Sequence, residues 1–253
     1  MAQAGLHAYI ALSLRKKTPQ VKWFLFAFVM GAIIPDLDII LTAIFSIFLT
    51  INESIILTHQ TFSHSIFTHI IIYILFLIIY EATNREKFLH IGNGIFLGLL
   101  SHLLVDIFLW FDSIHLFWPL PTDRLTIWGF IGEVKPLYIK ILLALEFVFF
   151  RLLAYEIIKI ILSYPSKNGK YIKNLSKYMQ FQILFLIIFS FMSYFLNTSY
   201  TYFIFGLMYI PSLTIITFYL YKSKNSFNGI HLKKETLDDN DSEHIKSAIH
   251  NIE

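Results

Sequence analysis

Ile91–Phe111 reads IGNGIFLGLLSHLLVDIFLWF. A bilayer-crossing helix needs about 20 mostly apolar residues, and this stretch supplies them. Apart from Asn93, His102 and Asp106 it is apolar or small. His102 and Asp106 are four apart, so on a helix both side chains leave the same face. Ionisable groups at membrane depth are costly and by default mark a functional site. The competing reading is a His–Asp hydrogen bond that ties two helices together.

The rest of the chain has the same character. Of 253 residues, 56% are hydrophobic and 15% charged, and the mean hydropathy is +0.63; soluble domains carry roughly 25% charged residues. Charge is concentrated at the end. The segment from Lys222 onward holds 11 of the 37 charged residues. Further apolar stretches occupy Ser65–Tyr80, Leu137–Leu162, Met179–Leu196 and Tyr200–Tyr221. Trp23–Ile34 and Ile39–Ile51 are two halves around Pro35-Asp36-Leu37-Asp38, and Leu6–Leu14 is a shorter apolar segment. In Leu6–Leu14 the cations follow the apolar run, unlike a signal peptide. The pattern predicts an all-α, polytopic transmembrane helical bundle of about six to seven membrane helices, one of them Pro-broken. The membrane domain is expected over 1–221, and 222–253 is expected to be a charged, flexible cytoplasmic tail.

Orientation follows from Lys and Arg in the loops. Arg15, Lys16, Lys17, Lys22, Arg85, Lys87, Lys167, Lys170, Lys173 and Lys177 fall in loops that alternate with those holding Arg124 and Lys135. Ten cations on one side and two on the other place the first set in the cytoplasm. His59, His64, His102 and Asp106 then lie toward the extracytoplasmic side. Asp36 and Asp38 lie mid-span or higher, and His7 lies in the outer half if its segment crosses.

Seven candidate metal ligands can thus meet at one depth: His7, Asp36, Asp38, His59, His64, His102 and Asp106. If Asp36–Asp38 is extended, its two carboxylates share one side, and a divalent cation relieves their repulsion; a helix cap after the Pro is the competing reading. His59 and His64 converge only if a turn separates them, and Ser63 is a plausible N-cap for the next helix. His with Asp suits zinc, or zinc with manganese, and seven ligands would serve two ions. With no Cys in the chain, disulfides, thiolate sites and a Cys nucleophile are excluded. A net charge of +3 gives no case for a nucleic-acid partner.

These residues carry a resemblance. Gly5-Leu6-His7, Ile34-Pro35-Asp36-Leu37-Asp38, His59-Gln60-Thr61-Phe62-Ser63-His64-Ser65, Gly98 to Asp106, and Leu116-Phe117-Trp118-Pro119 occur in one order within residues 1–121. In that order they resemble the YdjM-type membrane-bound metal-dependent hydrolases, a family that includes a LexA-regulated inner-membrane protein. The resemblance implies the seven His and Asp residues as the polar site, and does not extend to His69 or His115. The chain departs from the family's pattern at Gln60-Thr61, Ile39 and Leu109. The His-x-x-x-Asp pair is more distantly similar to zinc-dependent phospholipase C and P1 nuclease, whose late His ligands have no counterpart here.

The expectation is metal-assisted hydrolysis of a phosphoester or lipid-linked substrate at the membrane surface, with membrane lipid as the surroundings. One of Asp36 and Asp38 would ligate or bridge, and the other would orient water or act as general base. Ser101 would support a ligand, and Arg124 or Lys135 would bind an anionic substrate. A transporter or ion pathway lined by His and Asp is the alternative, and a purely structural polar core is a third reading. Glu146, Arg151 and Glu156, spaced by five, are expected to meet partners on neighbouring helices.

Overall fold

The computed structural model describes residues 3–59, 61–109, 114–125, 135–163 and 167–229. It is an all-α bundle. Helices α1 (Ala4–Ser13), α2 (Phe24–Ile33), α3 (Asp38–Phe45), α4 (Ile51–Thr58), α5 (Ile66–Thr83) and α6 (Glu86–Leu109) form the first part. Helices α7 (Pro136–Ser163), α8 (Ile172–Phe195), α9 (Thr198–Lys222) and α10 (Lys224–Gly229) form the second.

Five helical stretches among the described residues are long and apolar enough to cross a membrane: Phe24–Phe45, Ile66–Thr83, Glu86–Leu109, Gly169–Phe195 and Thr198–Lys222. The 28 residues of α7 are also long enough, but charged side chains lower its hydropathy. Each of these has a partner on a neighbour, as their spacing predicts. Glu146 accepts from α1, Arg151 donates to the Met179 carbonyl of α8, and Glu156 pairs with Arg15. With 10 residues, α1 is about 15 Å long, half the hydrocarbon thickness. It packs against α2 and α7.

Two features set the site. Pro35 does not end the helix. Residues Ile34–Leu37 tighten into a 3-10 turn between α2 and α3, and the chain continues in one direction. The second feature is a close approach of α2 and α6. A Cβ on Gly94 would stand 2.6 Å from the Phe24 carbonyl oxygen, and one on Gly98 would collide with the Phe28 carbonyl. Small residues one turn apart let two membrane helices meet backbone to backbone, and this meeting brings the next turns of α6, with His102 and Asp106, against the 3-10 turn.

Helix α5 is capped by Ser65, whose hydroxyl accepts from the Phe67 amide at 3.2 Å. The expected cap, Ser63, bonds to Asp38 and His64 instead. Asn84, left-handed at φ 50°, closes α5 and turns the chain back into α6. At the other end, the folded body runs past the composition boundary at 222. Phe227 of α10 is buried, and Asn228 accepts from the Trp23 amide at 2.8 Å. Residues 230–253, where most of the expected flexible tail falls, lie outside the described residues.

Candidate metal centre

Five of the seven sequence-identified residues meet in one buried cluster: His7 from α1, Asp36 from the 3-10 turn, His64 before α5, and His102 and Asp106 from α6. Asp106 is its hub. Its Oδ1 lies 3.1 Å from His7 Nε2, and its Oδ2 lies 3.2 Å from His64 Nε2 and 3.3 Å from His102 Nε2. His64 Nε2 and His102 Nε2 are 3.1 Å apart. Asp36 stands slightly back, with oxygens 3.9 Å from His7 Nε2 and from His102 Nε2. The rings of His7 and His102 stack at 3.8 Å.

Asp38 and His59 form a second rank. Asp38 Oδ1 accepts from His59 Nδ1 at 2.8 Å, and Oδ2 accepts from Ser63 Oγ at 2.6 Å. His64 Nδ1 is 3.6 Å from Oδ2. The extended geometry that would have put Asp36 and Asp38 on one side is not formed. Positions two apart on a 3-10 turn point about 120° apart, so Asp36 meets the cluster while Asp38 reaches behind His64. His59 and His64 do converge through a turn, the 3-10 segment Phe62–His64.

Proton accounting shows what the cluster needs. The Ala32 carbonyl only accepts, so His102 Nδ1, 2.9 Å from it, carries a hydrogen. The Ser63 hydroxyl gives its hydrogen to Asp38, so the 2.9 Å contact with His64 Nδ1 is made by the imidazole N–H. Burial holds the His64 imidazole below its ordinary pKa, favouring the neutral ring. When both rings are neutral, these Nδ1 contacts leave their Nε2 atoms as lone pairs. They face one another and a carboxylate oxygen. His7 Nε2, the third nitrogen at Asp106, has no hydrogen bond. One proton would serve a single pair and leave the others opposed, whereas a divalent cation serves all of them.

The donor set fits such an ion. Zn–N and Zn–O bonds of about 2.0–2.1 Å give tetrahedral edges of about 3.3 Å, close to the 3.1–3.3 Å separations found here. Metal-bound imidazoles characteristically fix their other N–H on a carbonyl or carboxylate, as His102 does on Ala32 and His59 on Asp38. Two groupings are possible, His7 with His102 and Asp106, and Asp36 with His64 and His102. They share His102. His59 belongs to neither, although its Nε2 is buried without a hydrogen-bond partner.

Other side chains stand apart. Ser101 Oγ bonds to the Gly98 carbonyl of its own helix, at 2.8 Å, and supports no ligand. Arg124 Nε donates to His115 Nε2 at 2.7 Å. Lys135 is exposed at the start of α7. The segment holding Arg124 is fastened beside the cluster, because Ser65 Oγ donates to the Trp118 carbonyl at 2.6 Å and the Ile66 amide to the Leu116 carbonyl at 2.9 Å. Sequence reasoning missed His69, which is buried and donates from Nε2 to the Ser63 carbonyl at 2.9 Å, fixing the turn that carries His64. A His on an otherwise lipid-facing helix was the available signal.

The model of the YdjM inner membrane protein family matches residues 2–223. The chain belongs to the YdjM family. No curated protein and no solved structure matches it. The match spans both helical parts, well beyond the first 121 residues that carry the motifs. In the family's setting, the cluster belongs to an inner-membrane protein with several membrane helices.

Proposed function

We propose that this protein is a membrane-bound metal-dependent hydrolase. It would act on a phosphoester or lipid-linked substrate at the membrane surface, through one or two divalent ions, zinc first and manganese second. The observation that carries the reading is the gathering of the His7, His64 and His102 Nε2 atoms at 3.1–3.3 Å from the buried Asp106 carboxylate. When bound, the ion would supply Lewis-acid polarisation of a scissile oxygen and acidify a water.

His7, His102 and Asp106 would hold one ion, and Asp36, His64 and His102 would hold the other. The 3.9 Å gap between Asp36 and His102 leaves room for a bridging water, so Asp36 is also the better placed general base. Asp38 has both oxygens engaged and would act by orienting His59 and His64. Supporting a lipid-like substrate, a cleft of about 250 Å³ lies between the 3-10 turn, α5 and α6. Its walls include Ile34, Leu37, Leu41, Phe62, Ile72 and Leu99, and Asp38 and Ser63 stand at its polar end. Arg124 and Lys135 remain the proposed contacts for an anionic group.

The test is zinc content of purified protein together with phosphate release from lipid phosphates in mixed micelles. Wild type should carry zinc and release phosphate. His102→Ala and Asp106→Ala should lose stoichiometric zinc while remaining in the membrane, since the apolar residues of α6 suffice for insertion. Equal zinc in all three proteins would remove the metal reading. Ion flux in proteoliposomes without hydrolysis would favour the ion pathway.

The cation asymmetry supports a site facing the extracytoplasmic side. The chain has no Cys, so single-Cys labelling is clean. Cys at Pro121 should react with an impermeant reagent in intact cells, and Cys at Gly169 should not. The reverse pattern would put the chemistry in the cytoplasm.

A further inference from the structure

We infer that Glu146, on α7, is the positioning residue for His7, acting through the first turn of α1. The inference rests on the metal reading above. Helix α1 is too short to be held by the bilayer, and its first four amides have no partner inside the helix. Every one of them is bound by a side chain from elsewhere. Gln3 N donates to Asp36 Oδ2 at 3.0 Å, and Ala4 N to the Tyr209 hydroxyl at 3.3 Å. Gly5 N donates to Glu146 Oε1 at 2.6 Å, and Leu6 N to Glu146 Oε2 at 3.3 Å. The next amide is that of His7, which makes the first intrahelical bond, to Gln3 O at 3.1 Å. The imidazole at Asp106 is thus carried by the residue just past a two-oxygen carboxylate clamp.

Glu146 is completely buried, and a buried carboxylate is tolerated where donors surround it. A helix N-terminus supplies such donors. Gly5 makes the approach possible, since a Cβ there would stand 2.9 Å from Glu146 Oε1 and from Phe150 Cδ1. The other end of α1 is tied to the same helix, through Arg15 Nη1 and Glu156 Oε2 at 2.8 Å. The two ties are ten residues apart in both segments, Gly5 to Arg15, which lies on the 3-10 turn Leu14–Lys16 just past α1, and Glu146 to Glu156 on α7. Helices α1 and α7 therefore run parallel and in register. Asp36 joins the clamp to the cluster directly, because it binds the Gln3 amide and faces His7.

Glu146→Gln is the decisive variant. Its amide oxygen can accept from one of the two backbone donors, while its NH2 group opposes the other. In the full-length purified protein, zinc affinity measured against a chelator should fall about tenfold, the lower end for loss of an outer hydrogen-bond partner. The same change on a His7→Ala background should cost nothing further, because the ligand it positions is already gone. Amide exchange over residues 4–8 should quicken in metal-free Glu146→Gln.

Unchanged affinity and exchange would overturn the inference. So would equal losses on both backgrounds, which mark a general weakening of the fold. Should Glu146→Gln fail to fold, Gly5→Ala displaces the clamp from the helix side and must show the same dependence on His7. Absence of zinc on wild type overturns the metal reading, and the link to His7 with it; zinc bound equally by wild type and Glu146→Gln overturns only the clamp.

Discussion

Both parts of the molecule bury carboxylates, and they treat them differently. In residues 136–229, Glu146 faces two amide donors and Glu156 faces Arg15 and Lys159. In residues 3–109, Asp106 faces imidazole nitrogens whose hydrogens are committed on the far side of their rings. Buried carboxyl groups are common to the two regions. What separates a brace from a candidate metal centre is whether the facing atoms bring hydrogens. Where they do, the group is satisfied and ties helices together. Where imidazole nitrogens gather on a carboxylate, the group is one that could hold a cation.

The widest contrast should lie between Asp38 and Glu156. Asp38 accepts from His59 and from the serine that orients His64. Asp38→Asn replaces one acceptor with a donor, which must oppose either the His59 N–H or the Ser63 hydroxyl. Zinc affinity should fall about tenfold to a hundredfold, the usual range for such supporting partners. Glu156→Gln loosens a partly exposed ion pair far along α1, and exposed pairs contribute only about 0–1 kcal/mol. Its zinc affinity should stay within about twofold of wild type. Equal losses in the two variants would erase the distinction between brace and centre.

Much of this was legible from residue spacing alone. The i,i+4 pair His102 and Asp106, the ordered His and Asp motifs and the long apolar runs yield the bundle and its polar cluster. The 3-10 turn at Pro35 was not legible, because a proline at the first turn of a continuing helix looks the same in sequence as one that breaks it. That ambiguity decides whether Asp36 and Asp38 act together or divide the work. The roles of Glu146 and Gly5 depend on contacts between residues over a hundred positions apart, which no local period encodes. Likewise Ser63 and Ser65 differ by two positions and share every cap propensity; the geometry of the turn sends one to Asp38 and the other to the helix.

A modest effect on turnover is expected at Arg124, which belongs to neither region. It lies on the segment fastened to the start of α5, and its Nε–H donates to His115 Nε2 at 2.7 Å. A guanidinium anchored by one donor still has the fork that suits a phosphate oxygen. Arg124→Ala should slow turnover of an anionic lipid phosphate by roughly threefold, the ~0.7 kcal/mol scale of an exposed ion pair, with zinc content unchanged. His115 gives this a pH signature. Its pKa is held below the ordinary 6.5 by partial burial and then by the Arg124 charge. A lowered imidazole pKa means that the neutral form is favoured in the fold. The Arg124–His115 bond is therefore fully present above pH 6.5 and is lost as pH falls through the lower, folded value. Below that value a protonated His115 would face Arg124 as cation to cation. Wild-type turnover, normalised to the Arg124→Ala variant at each pH, should then fall toward the variant's in acid. His115→Ala should remove that pH step. A wild-type to Arg124→Ala ratio that stays flat from pH 5 to pH 8 would detach Arg124 from the substrate and leave its bond to His115 as a tie within the loop.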